Sequence, residues 1–131
     1  MPLSKIKPRL VQSFRQLTYA AALIVASATA ALAHAHLDHA VPAAGSVVQS
    51  APAQIRIAFS EAVEPAFSVI EVLDRQGNRV DQDKAVTDPA DSKVLTVKVK
   101  PLTPGTYKVV WRVVSVDAHK SRGDFSFTVA Q

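Results

Sequence analysis

"TYKVVWRVVSVD", residues 106–117, alternates with period two, and Tyr107, Val109, Trp111 and Val113 fall on one face. Successive side chains of a strand point to opposite faces of its sheet, so this stretch reads as a strand burying an aromatic-rich face. The same alternation recurs on both sides of it. "GDFSFTVA" (123–130) places Phe125, Phe127 and Val129 inward, and "KVLTVKVK" (93–100) sets Leu95, Val97 and Val99 against Thr96, Lys98 and Lys100. Further upstream, "QIRIAF" (54–59) puts Ile55, Ile57 and Phe59 on one face. "FSVIEVLD" (67–74) is another strand, ended by the turn "DRQGNR" (74–79). "VPAAGS" (41–46), "SAPA" (50–53) and "PLTPG" (101–105) read as turns, and residues 82–92, polar and irregular, as a loop. No segment after residue 40 sustains a helical period. The pattern predicts an all-β fold, a Greek-key β-sandwich or barrel of immunoglobulin-like type. Six aromatic residues, Phe59, Phe67, Tyr107, Trp111, Phe125 and Phe127, are assigned to its core.

The first 33 residues differ in kind. Lys5, Lys7, Arg9 and Arg15 are the only charged residues before position 34, and an uncharged run from Gln16 to Ala33 follows them. That run ends in Ala31-Leu32-Ala33, the small-x-small pattern of a secretory cleavage site. As a membrane anchor the run is marginal, being alanine-rich and barely long enough for a core roughly 30 Å thick. Residues 1–33 are therefore read as a signal helix cleaved after Ala33, and residues 34–131 as one periplasmic β domain that does not span the membrane. There is no twin-arginine pair, which indicates the general secretory route. Four of the 15 basic residues leave with the leader, and the other 11 balance 11 acids. The basic balance thus belongs to the leader and gives no reason to expect a nucleic-acid partner. The chain has no cysteine, so its core must hold without disulfides.

Three of the four histidines lie in "ATAALAHAHLDH" (28–39). Cleavage after Ala33 would give His34 a free α-amine beside its imidazole Nδ1, a chelate that no internal histidine can form. His36, as third residue of the mature chain, offers a rival geometry through amine, two deprotonated amides and imidazole. His39 is expected to be solvated. The fourth histidine, His119, lies in "SVDAHKSRG" (115–123), two residues after Asp117. If the strand continues that far, the two side chains share a side and extend the face of Tyr107 to Val113. Amine, imidazoles and a carboxylate form an N,O donor set suited to Cu(II) or Ni(II). Soft ligands for Cu(I) are lacking, because the only methionine is Met1. Glu61, in "FSEAVEP" (59–65), is a candidate to orient an imidazole by a hydrogen bond.

"HAHLDHAVPAAGSVV" (34–48), "IRIAFSEAVEPAFSVIEV" (55–72) and "LTPGTYKVVWRVVSVDAHKSRGDFSFTV" (102–129) together resemble the CopC family of periplasmic copper-resistance proteins. The most specific elements are the histidine that would begin the mature chain and an S-x-D-x-H-x-x-x-G-x-F-x-F pattern. Here that pattern is Ser115, Asp117, His119, Gly123, Phe125 and Phe127. The resemblance implies about seven strands in a Greek-key arrangement and a Cu(II) site of His34, Asp117 and His119. It also implies a carrier or buffer role in copper resistance and homeostasis, with an inner-membrane CopD-like permease as partner. Some members hold Cu(I) in a methionine-rich loop, but residues 80–92 contain no methionine, so no such site is expected. Two other readings are a copper-dependent polysaccharide monooxygenase, which also uses an N-terminal histidine, and a metal-free immunoglobulin-like module. Against the enzyme stand Asp117, which would fill the position oxygen needs, and the assignment of every aromatic residue to the core.

Overall fold

A computed structural model describes residues 34–131; the expected signal segment and its cleavage point lie outside the described residues. Eight strands follow in order: β1 (Leu37–Val41), β2 (Val47–Val48), β3 (Gln54–Phe59), β4 (Val69–Leu73), β5 (Asp81–Asp88), β6 (Asp91–Val99), β7 (Gly105–Val114) and β8 (Lys120–Val129). They form two four-stranded sheets, β1-β3-β6-β5 and β2-β8-β7-β4. Every pairing is antiparallel except that of β2 with β8. Neither strand order closes on itself, so the fold is a sandwich and not a closed barrel. With the two-residue β2 set aside, the expected seven strands are present. No helix among the described residues is long and apolar enough to cross a membrane.

The two sheets meet through the faces that the alternation marks. Ile55, Ile57 and Phe59 of β3 and Leu95, Val97 and Val99 of β6 are buried in one core with Tyr107, Val109, Trp111 and Val113 of β7 and Phe125, Phe127 and Val129 of β8. Side chains from the two inner faces interdigitate in this way in aligned sandwiches. Tyr107 and Phe127 stack with ring centroids 5.6 Å apart, and Phe59 meets Trp111 edge to face at 5.2 Å.

Two expectations fail. Residues 82–92 are not a loop, because most of them form β5 and the turn of a hairpin with β6. The segment reads as irregular because Ala85 is its only buried apolar residue and Asp83 sits at a left-handed φ of 62°. The register slips between Gln82 and Val86, which breaks the period-two signal. Backbone pairing carries this edge strand, aided by Arg56 of β3, which reaches across β6 to Asp88 at 2.5 Å. The second failure is Phe67, which is 71% exposed. It ends a short 3-10 turn, Pro65–Phe67, ahead of β4. Within β4, Ile70 and Val72 take the inward positions.

Candidate metal centre

Three chain segments meet at one end of the sandwich. The first is the stretch leading into β1. Ala35 is fully buried in the core, His36 is exposed, and His34 is half-buried. The backbone around them is tied to Ser60, just beyond β3. The Ser60 amide donates to the His36 carbonyl at 2.8 Å, and the His36 amide donates to Ser60 Oγ at 2.9 Å. Ser60 Oγ also lies 3.4 Å from the His34 carbonyl.

The second segment runs from Ser60 to Glu64, and the third is the β7–β8 connection. Val63 bridges to Ser115, the Val116 amide donates to the Ala62 carbonyl at 3.0 Å, and the Glu64 amide donates to the Val114 carbonyl at 2.8 Å. One backbone segment therefore fixes both the His34 region and the loop that carries His119. Glu61 itself is exposed, and no hydrogen bond joins it to an imidazole. Its neighbour Ser60 bonds the backbone of His34 and His36, not their imidazoles.

Strand geometry does not continue to His119. β7 ends at Val114, and a tight turn follows in which Ala118 adopts a left-handed φ of 69°. The Ser115 amide closes the loop on the His119 carbonyl at 2.9 Å. Asp117 and His119 still come together, through the turn and not through alternation. His119 Nδ1 lies 3.1 Å from Asp117 Oδ2, and the Ser115 hydroxyl donates to Asp117 Oδ1. That hydroxyl, followed by the imidazole, holds the Asp117 carboxyl below the usual carboxylate range. Ionised at neutral pH, it is a ready oxygen donor. The ring of His34 stands edge to face on that of His119, with centroids 5.3 Å apart and planes at 81°.

His34, Asp117 and His119 thus converge, while His36 and His39 are exposed and outside this group. Among the described residues no three His, Cys, Asp or Glu side chains stand at metal-binding spacing. Asp117 is turned onto His119, and the α-nitrogen of His34 is an amide while Ala33 precedes it. Ser60 and Ser115 have no chemical signature in the sequence as orienting groups. Ser115 was visible only as the first letter of the S-x-D-x-H spacing. A surface groove lined by Phe67, Val69, Arg112, Val114 and Arg122 includes none of the candidate donors.

Comparison with known proteins shows what the chain as a whole is similar to. A CopC domain model matches residues 37–130. The protein YobA of Escherichia coli K12 is 41% identical over 118 residues, covering 88% of this chain and 95% of its own length. Among solved structures, CopC from Methylosinus trichosporium OB3b is 35% identical with a TM-score of 0.70, covering 74% of this chain and 94% of its own. PcoC, a methionine-rich copper resistance protein from Escherichia coli, is 36% identical with a TM-score of 0.65, covering 74% of this chain and 99% of its own.

Proposed function

The chain belongs to the CopC family, and on that premise we propose that, cleaved after Ala33, it is a periplasmic Cu(II)-binding protein that carries or buffers copper in copper resistance and homeostasis. The observation that carries this reading is the meeting of His34 and His119, from distant parts of the chain, beside an ionised Asp117. An ion about 2.0 Å from an imidazole nitrogen lies about 3.1 Å from the ring centroid, so two such rings on one ion have centroids about 4.5–6.2 Å apart. The separation of 5.3 Å falls inside that range. Amine, imidazoles and carboxylate match Cu(II), and residues 34–131 contain no methionine to supply the thioethers that a Cu(I) site would use.

The folded site is favoured over the terminal motif centred on His36. That motif must deprotonate the amides of Ala35 and His36. It would break the His36–Ser60 hydrogen bond of 2.9 Å and disturb Ala35, which is 0% exposed. The exposed Phe67 removes the aromatic argument against polysaccharide oxidation. Asp117 still favours carriage, since a bound carboxylate takes the position that oxygen chemistry needs open. A CopD-like permease is the acceptor this reading implies.

The test is electron paramagnetic resonance of the Cu(II)-loaded mature protein and three variants. His119→Ala and Asp117→Ala should alter the spectrum and weaken binding, and His36→Ala should leave both nearly unchanged. A spectrum altered only by His36→Ala would remove Asp117 and His119 from the ligand set.

A further inference from the structure

We propose that Ser115 is the positioning residue of this centre: it presets Asp117 and His119 as neighbouring donors to one ion, with His119 binding through Nδ1. The metal half of this inference rests on the copper reading above; the positioning half does not. Ser115 is 1% exposed, and a buried hydroxyl requires a partner. It has one proton and two acceptors in reach, Asp117 Oδ1 and the His119 carbonyl at 3.2 Å. The carbonyl already accepts from the Ser115 amide at 2.9 Å, and the carboxylate is charged and closer. The proton therefore goes to Asp117. The hydroxyl oxygen in turn accepts from the His119 amide at 3.3 Å. One side chain thus holds both members of the pair.

Fixing Oδ1 in this way leaves Oδ2 facing His119 Nδ1 at 3.1 Å. Two donors each about 2.0 Å from one ion are about 2.8 Å apart at a right angle and about 3.1 Å apart at roughly 100°. The pair already stands at the spacing of adjacent ligands. In the metal-free protein the carboxylate oxygen 3.1 Å from Nδ1 favours the tautomer with its proton on that nitrogen; an ion bound at Nδ1 would release that proton to solvent and leave Nε2 to carry one. Among the described residues the close side-chain partners of this carboxylate are Ser115 and His119.

The experiment compares mature wild type with Ser115→Ala and Ser115→Thr. Long-range proton–nitrogen NMR of the metal-free proteins should show His119 as the Nδ1–H tautomer in wild type and Ser115→Thr, and as a mixture in Ser115→Ala. Competition for Cu(II) should show Ser115→Ala weakened about 10–100-fold, with Ser115→Thr within about threefold of wild type. If Ser115→Ala does not fold, Ser115→Cys keeps the volume with a weaker donor and gives the same two readings. Unchanged tautomer and Cu(II) affinity in a folded Ser115→Ala protein would overturn the proposal, as would an Nε2–H tautomer in metal-free wild type. A wild type that binds no Cu(II), but whose His119 tautomer still responds to Ser115→Ala, would remove the copper reading and sustain the positioning role.

Discussion

Gly123→Ala should destabilise the domain while sparing the metal centre, and the structure gives the size of the effect. Gly123 of β8 lies directly opposite Trp111 of β7. An alanine Cβ there would stand 2.5 Å from Trp111 Cζ2 and 2.8 Å from Cε2. Carbon atoms pack at about 3.5–4.0 Å, so the overlap is about 1 Å against a rigid ring. The indole has little room to yield, being 7% exposed and held edge to face by Phe59. Overpacking of this kind costs about 1–3 kcal/mol. Replacing a strand glycine returns about 0.5–1 kcal/mol of backbone entropy. An approach of 2.5 Å to a rigid ring puts the overpacking cost in the upper part of its range, about 2–3 kcal/mol, so steric overlap wins by about 1–2.5 kcal/mol, which for a domain of this size lowers Tm by about 4–20 °C. Thermal unfolding of the mature protein by circular dichroism measures it, and Cu(II) affinity well below Tm should match wild type. An unchanged or raised Tm would refute the reasoning. The glycine of the S-x-D-x-H-x-x-x-G pattern would then need an explanation other than room for Trp111.

Three further outcomes are expected. Any residue left ahead of His34 converts its amine to an amide, so a one-residue extension should abolish strong Cu(II) binding; undiminished affinity in calorimetry would sink the chelate. The mature protein should prefer Cu(II) to Cu(I), and tight Cu(I) binding against a Cu(I)-specific chelator would contradict its donor set. For acid stability, burial acts to raise the Asp81 carboxyl, but hydrogen bonds from Arg79 and the Val72 amide outweigh it and hold its pKa below the ordinary value. A pKa depressed on folding gives stability that is complete above the unfolded value of about 3.9 and lost as pH falls through the lowered one. Asp81→Asn should therefore lower Tm at neutral pH and flatten its decline below about pH 4. A variant curve running parallel to wild type would exclude this carboxylate from the acid transition.

The strands that build the core were legible because burial on one face leaves a period-two trace. β3, β6, β7 and β8 all carry it, and their inward apolar residues are buried. β5 left no such trace, since an edge strand with one buried residue is specified by the hydrogen bonds of its neighbour. Phe67 is a different case. Phe67 lies in the 3-10 turn before β4, outside the alternation that turns Ile70 and Val72 inward, so its hydrophobicity misled. Asp117 and His119 stand together, as their two-residue spacing suggests, but through a tight turn and not through strand alternation. A left-handed Ala118 is not readable from alanine, because nothing in that residue type favours such a turn.

The partition of the site between two distant segments has a physical consequence. His34 reaches the β7–β8 turn only because the backbone from Ser60 to Glu64 is bonded to both. Neither half of the site is held by its own residues alone. On the proposed reading, a chain that still carries its leader has the imidazole pair and the ionised carboxylate but not the amine. Its fourth donor appears only when Ala33 is removed. Copper binding is then a product of export: the precursor is a poor competitor for the ion on the side of the membrane where it is made, and a strong one after cleavage. Precursor and mature forms should therefore share one fold and differ in affinity.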